Sequence, residues 1–313
     1  MNPAFSVIFL TTLIGAGQGL FLALYGIEIA GALQLQSIAS GQLLFIAGSV
    51  ICLVLTGLGL VASFFHLGHP ERAWRAAAMW RTSWLSREVI VLPAFMAVVL
   101  AYGFAHYVGW RNTLPLGALA AVLCVSLFVC TGMIYACIKF LQEWASPLTL
   151  INYFLLGSAS GLTLATALVA LLEPGLIAPI GLIAITLTLA GFVMRAASLV
   201  RNSTLKPKST LQTAIGIHHP RIVQKSQGFM GGSYNTRAFF HAQTPLFLRS
   251  IKWIFLLGAF VLPLILLVFG LRIGSVVLLC AAFVVQFAGL IAERWFFFAQ
   301  ANHPQNLYYQ TIS

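Results

Sequence analysis

Long uninterrupted apolar runs constrain this chain more than any other feature. A helix needs about 20 apolar residues to bridge the hydrocarbon core of a bilayer. Eight runs reach that length, at about 5–31, 42–65, 87–108, 115–140, 149–172, 176–199, 250–271 and 274–298. Of the 313 residues, 60% are hydrophobic and only 7% are charged, against about 25% charged in soluble domains. The mean hydropathy is +0.96. So few charges could not cover a soluble enzyme, and the composition also excludes a disordered chain and a disulfide-stapled secreted domain. A transmembrane β-barrel would show alternating segments of about 10 residues, and these runs are far longer. The expectation is an all-α integral membrane protein: one polytopic domain over residues 1–313 with eight transmembrane helices.

Turn chemistry separates the runs: Gly41, Gly68 with Pro70, Asn112 with Pro115, Pro147, Pro174 with Gly175, and Gly274. The first run is read as a span and not as a cleaved signal peptide. It lacks a basic leader, is too long, and has no A-x-A site. Residues 200–249 form the one long polar segment. No internal repeat is evident, which disfavours an inverted-repeat transporter.

Eight spans put both termini on one side, together with the loops at 66–86, 141–148 and 200–249. Fifteen of the 17 basic residues lie on or near that side, and only Arg111 and Arg272 lie opposite. The excess of Lys and Arg in cytoplasmic loops therefore predicts cytoplasmic N- and C-termini and a cytoplasmic 200–249 loop. The net charge of +11 is then mostly a cytoplasmic surface. Anionic lipid accounts for such a surface, and so does a docked soluble partner; a nucleic-acid partner is not expected.

All six acids are glutamate: Glu28, Glu71, Glu88, Glu143, Glu173 and Glu293. With no aspartate, Asp-rich Mg-diphosphate sites, Ser-His-Asp triads and EF-hand loops are excluded. No GxxxxGK[ST] phosphate loop or HExxH helix occurs. The five cysteines, Cys52, Cys124, Cys130, Cys137 and Cys280, all fall in apolar runs without a CxxC. Metal sites need converging ligands at short spacing, so these read as small core hydrophobes, with Cys130 and Cys137 sharing a helix face. No metal is expected. A b-type haem would need two inward-facing histidines at similar depth, and none of the seven histidines lies mid-span.

The densest polar stretch runs from Phe65 through His66, His69, Glu71, Arg72 and Arg75 to Arg81, Arg87 and Glu88. His66 closes one span and Glu88 opens the next, so the fold could bring them together. Histidine titrates near neutral pH, and burial raises a glutamate toward that range. Quinone reduction or quinol oxidation moves two protons with two electrons, and this set of groups suits it. The same stretch also reads as a basic aromatic loop anchored among lipid headgroups. The residue types alone leave both readings open.

His66-Leu67-Gly68-x-Pro70-x-Arg72-Ala73, followed by Ser83-Trp84-Leu85-Ser86-Arg87-Glu88, resembles the membrane-anchor subunits of the dimethyl sulfoxide reductase family (DmsC type). Four further stretches resemble the anchors of cytoplasmic sulfite-oxidising complexes (SoeC type) in particular: Tyr135–Trp144, Pro207–Gln212, His219–Ser226 and Asn302–Leu307. The resemblance covers essentially the whole chain. It implies eight spans and no metal or cofactor bound by this chain. It also implies an iron–sulfur subunit and a molybdopterin catalytic subunit as partners, and ubiquinone or menaquinone as exchangeable substrate. By the match of motifs, His66 and Glu88 fall at the quinone site, with Arg72 beside them to stabilise the charged quinone oxygen. His69 stands where the motif varies and takes no role. The cytoplasmic placement of this loop fits sulfite oxidation inside the cell, in the plasma (inner) membrane of a prokaryote.

Ionisable groups inside a membrane are costly and so are functional candidates. Glu293 and Arg294, inside the end of the last run, are candidates for the quinone pocket and its protons. Glu28 reads as interfacial at the outer end of the first run. Arg195 reads as a side chain that snorkels to the surface. Glu143 reads as a loop residue, structural or facing a partner. Gln18 and Gln286 read as interhelical hydrogen-bond partners. The 200–249 loop, with Gly228, Gly231, Gly232, Tyr234, Phe239 and Phe240, binds lipid on one reading. On the favoured reading it docks the iron–sulfur subunit, because aromatics enrich interfaces. The docking residues are then Arg75, Arg81, Arg87, Lys206, Lys208, Arg221, Lys225 and Arg237. The functional expectation is a quinone-linked membrane anchor in sulfite oxidation. Its rivals are an anchor passing electrons from quinol to a reductase, a secondary transporter, and a lipid-modifying membrane enzyme.

Overall fold

The computed structural model describes residues 1–35, 41–225 and 234–309. Ser226, Gly228, Gly231 and Gly232 lie outside the described residues, as does the side chain of Tyr234. Among the described residues there is no strand, and eight helices are long and apolar enough to cross a membrane. They are α1 (Phe5–Ala32), α2 (Gly41–Phe64), α3 (Trp84–Tyr107), α4 (Leu114–Ala136), α5 (Pro147–Leu172), α6 (Ile177–Ser203), α7 (Pro245–Ile273) and α8 (Val276–Ala299). The chain is a multi-pass membrane protein.

Local chemistry sets the helix ends. Ser83 accepts a hydrogen bond from the Ser86 N–H at 3.3 Å and starts α3. Ser146 and Pro147 start α5 in the same manner. The seventh apolar run begins near 250, yet α7 starts at Pro245. Thr244 caps the Phe247 N–H at 3.2 Å there and extends the helix into the polar segment. Gly274, at φ 69°, ends α7 in the left-handed conformation that glycine tolerates best. Inside α7, a π-helical turn spans Leu257–Val261, where the backbone at Gly258 lies against Gly289 of α8.

Each of the first four helices packs on the next, and α4 returns to α1. The order repeats in the second half: α5 on α6, α6 on α7, α7 on α8, and α8 back on α5. Little of this recurrence shows in the residues, which carry no convincing internal repeat. The signal is confined to the two helices that join the halves. Leu13, Gly15, Gly19, Leu20, Leu22 and Ala23 of α1 match Leu155, Gly157, Gly161, Leu162, Leu164 and Ala165 of α5. Four helices are an even number, so both halves start from the same end of the bundle, and the repeat is parallel rather than inverted.

α1 and α5 are the most enclosed spans, with 72% and 78% of their apolar windows buried. Their backbones meet directly. A Cβ on Gly15 would lie 3.3 Å from the Gly157 Cα, and one on Gly161 would strike the backbone of Gly19 and Leu20. Lipid tails are as apolar as leucine, so close packing and interhelical hydrogen bonds must hold such helices together. Gln18 Nε2 supplies one such bond, donating to the Cys124 carbonyl of α4 at 2.8 Å. Gln286 Nε2 supplies another, donating to Thr188 Oγ1 of α6 at 3.2 Å. Both glutamines are the interhelical partners that their mid-span positions suggested.

The α1/α5 contact carries a prediction. Gly161→Leu should abolish monodisperse protein in mild detergent, as read by size-exclusion chromatography. Gly26→Ala, with nothing within 4 Å of the added Cβ, should keep the protein folded and raise its stability by about 0.5 kcal/mol.

Candidate functional site

Buried ionisable groups gather at the end of the bundle that carries both termini. The α-amine of Met1 marks this end by donating to the Ala301 carbonyl at 2.7 Å. Glu88 stands one turn into α3 and is buried. The antiparallel α4 brings Thr131 to the same depth, and its hydroxyl donates to Glu88 Oε1. Around the carboxylate is a cavity of about 20 Å³, lined by Thr11, Thr12 and Gln18 of α1, Tyr153 and Ser160 of α5, and Arg294 of α8. That is room for a water molecule, with these polar groups to hold it on one side and Leu10, Ile14, Phe128, Leu156 and Leu290 completing the wall.

Arg294 connects this cavity to a second. Its guanidinium lies 3.7 Å from the centre of the Tyr153 ring, and its Nη1 is 3.4 Å from Glu293 Oε2. Neighbouring residues on a helix point about 100° apart, so Glu293 faces α6, where Arg195 Nε approaches its Oε1 at 2.6 Å. The second cavity, about 10 Å³, is lined by Glu143, Asn152, Arg195, Ser198, Arg201, Glu293 and Arg294 among others. Asn152 Nδ2 donates to Ser198 Oγ at 2.7 Å across it. Two buried guanidiniums thus share one carboxylate, and Glu88 is the further acid on the Arg294 side. With Glu88 ionised these four groups sum to zero. With Glu88 protonated they sum to +1.

Arg195 corrects a sequence expectation. It does not snorkel: it is 2% exposed and ion-paired. The apolar run ends near 199, but α6 continues to Ser203, which sets Arg195 a turn deeper than the run suggests. Its cost at that depth was the signal that pointed inward.

The polar loop between α2 and α3 lies at the same end. His66 follows α2 and is exposed, and the protein around it still lowers its pKa below the ordinary histidine value through desolvation. Arg72 Nε lies 3.6 Å from Glu71 Oε1, both exposed, and His69 Nδ1 is 3.0 Å from the same oxygen. Neither His66 nor Arg72 lines the Glu88 cavity. The side chains that share it come instead from α1, α4, α5 and α8, which the order of residues along the chain conceals. Arg75, Arg81 and Arg87 lie over Trp74, Trp80 and Trp84. Arg87 also donates to the carbonyls of Trp80 at 2.9 Å and Arg81 at 2.8 Å, which ties the loop to the start of α3. Lys206, Lys208, Arg221, Lys225 and Arg237 are exposed.

At the opposite end, Glu28 is buried rather than interfacial, a second correction. The ends of α3 and α4 close over it. Tyr102 donates to its Oε2 at 2.9 Å, Thr113 donates to Oε1, and His106 Nε2 lies 3.6 Å from Oε1. Of the cysteines, Cys52, Cys124 and Cys130 are buried as expected, whereas Cys137 is exposed at the end of α4.

Two comparisons with known proteins bear on this site. The family model described as DMSO reductase anchor subunit (DmsC) matches residues 1–309. A sulfite dehydrogenase subunit from Allochromatium vinosum is 52% identical over the full length of both chains.

The buried ion cluster makes a stability prediction. Glu293→Gln leaves two guanidiniums without their shared counter-charge and should destabilise the protein by about 3 kcal/mol or more in thermal unfolding. Glu71→Gln, which removes the exposed partner of Arg72 and His69, should change stability by at most about 0.5 kcal/mol.

Proposed function

The chain belongs to the DMSO reductase anchor subunit (DmsC) family, and on that premise we propose that it links a sulfite-oxidising complex to the quinone pool through the Glu88 cavity. The observation that carries this reading is a buried carboxylate beside a water-sized cavity that it shares with Arg294. Its likeness to a sulfite dehydrogenase subunit supports the direction, from sulfite to quinone. The partners are an iron–sulfur subunit and a molybdopterin subunit, which hold the redox groups. This chain supplies membrane attachment and the quinone site. Its termini and basic loops face the cytoplasm, in the inner membrane of a prokaryote, as the distribution of Lys and Arg supports.

Reducing a quinone to a quinol takes two electrons and two protons. The electrons would be supplied by the iron–sulfur subunit. A quinone ring does not fit in about 20 Å³. It docks at the mouth of the cavity, which has room for one water between its oxygen and Glu88. Glu88 gives up its proton as the oxygen gains charge and takes another from the cytoplasmic side for the second transfer. Arg294 sets a guanidinium beside the path, held in place by Glu293 and Tyr153. His66, in the loop at this end, is exposed and relays protons from the surface. Arg72 pairs with Glu71 and assists from the same loop.

The reverse direction, from quinol to a reductase, would use the same groups. The cytoplasmic face favours sulfite, because the substrate subunit then works inside the cell. Glu88→Gln should lower quinone-linked turnover at least 100-fold while sulfite oxidation with an artificial electron acceptor stays within twofold; the size follows from losing a positioned proton donor. Loss of both activities together would mean a broken complex and would sink the assignment.

A further inference from the structure

A groove between α1, α5 and α6 plays no part in the Glu88 site. It encloses about 400 Å³ and shares no lining residue with the Glu88 cavity. That volume is the size of sites that hold drug-sized molecules. Gly26 and Ile183, both exposed, stand at its open side. We propose that it holds a second molecule of prenylated quinone, ring at mid-membrane and tail toward the end opposite the termini, bound without being reduced. The identity of the ligand rests on the quinone-linked reading above, and the groove itself does not depend on Glu88.

The groove exists because the two halves do not pack alike. α2 packs across the seam on α5, whereas among the described residues α6 makes no comparable contact with α1. The backbones of α1 and α5 touch between Gly15 and Gly19 on one side and Gly157 and Gly161 on the other. Past that contact, Leu22, Gly26 and Ala30 present one face of α1 to the gap. Leu176 and Ile180 line it from the start of α6.

The two ends of the groove differ, and the difference selects the occupant. At its deep end Phe154 and Ser158 stand one turn apart on α5. Ser158 is about 16 Å along α5 from Pro147, near the middle of a hydrocarbon core about 30 Å thick. Its hydroxyl is buried and has no hydrogen-bond partner in the protein. The neighbouring hydroxyls of Ser160, Thr163 and Thr166 each donate to a carbonyl of α5 itself. An acyl chain offers Ser158 no acceptor, and the ester oxygens of a phospholipid stay at the edge of the hydrocarbon core, about 15 Å away. A quinone carries carbonyl oxygens into that depth on a neutral ring. Phe154 offers the ring an aromatic surface, and is itself set edge-on against Phe128 with centroids 5.2 Å apart. Toward the other end the wall is aliphatic and suits a prenyl tail. None of the lining residues is ionisable, so no group there supplies a proton, and the quinone is held rather than reduced. Phe128 also lines the Glu88 cavity, which puts this reserve one pair of rings away from it.

The test uses the protein purified with its partners from its native membrane in mild detergent, and a photoreactive azidoquinone with a short prenyl chain. Illumination should label peptides covering 154–162 or 179–187, and short-chain ubiquinone should compete with the label where phospholipid does not. Ser158→Ala should weaken binding there about fivefold, the size of one lost hydrogen bond, and should leave sulfite-to-quinone turnover at saturating quinone unchanged. Ile183→Trp fills the groove from α6 and should abolish the labelling. Val193→Trp, on an exposed position of α6 outside the groove lining, should leave it intact. If the protein reduces quinone with sulfite but these peptides stay unlabelled, or neither Ser158→Ala nor Ile183→Trp diminishes the label, or phospholipid competes as well as quinone, the groove proposal is overturned and the quinone-linked reading stands. If quinone neither labels the chain nor is reduced, both fall.

Discussion

The contact between the glycine faces of α1 and α5 is the constraint on which the rest depends. In lipid there is no hydrophobic drive between helices, so two halves of a bundle need close backbone packing to hold one register. Gly15 and Gly19 against Gly157 and Gly161 supply it. The Glu88 cavity lies along this seam. Glu88 and Thr131 come from the first half, and Tyr153 and Arg294 from the second. A shift of one helical turn between the halves, about 5.4 Å, would separate them.

The seam also explains why the cluster holds so many charges. Arg195, Glu293 and Arg294 are each at most 4% exposed, and an unpaired charge at that depth is costly. Glu293 is ion-paired with both Arg195 and Arg294, and Glu88 shares a cavity with Arg294. On the proposed mechanism, a proton reaching Glu88 leaves these four groups one positive charge in excess. The neighbourhood then favours negative charge on the quinone oxygen when that proton is most needed. Catalysis by preorganised charge works in this way, because the groups are already oriented when the electrons arrive.

The eight spans were legible because length and hydropathy act locally. So were Gln18 and Gln286, since a polar side chain in mid-span must find a partner on another helix. Glu88 was a candidate from its motif, and Glu293 with Arg294 from the cost of charge in a membrane; all three are buried, and Glu88 and Arg294 line one cavity. What could not be read was the company each residue keeps. Glu28 and Arg195 lie near the ends of apolar runs, where an interfacial position is the ordinary outcome. Their burial depends on neighbouring helices that close over them, Tyr102 and Thr113 in one case and Glu293 in the other. His66 is close to Glu88 in the motif, yet the loop places it outside the cavity that Glu88 shares with α8. The repeat of four helices survives in sequence only where α1 and α5 touch, because glycine is required there and any apolar residue serves elsewhere.

The account is tested most directly by assaying the protein after gentle affinity purification from its native membrane. It predicts an eluate that contains molybdenum and iron and reduces a short-chain quinone when sulfite is added, in proportion to the amount of this chain present. A lone, metal-free polypeptide that survives crosslinking controls and reduces no quinone would contradict it, and would bring the transporter reading to the front.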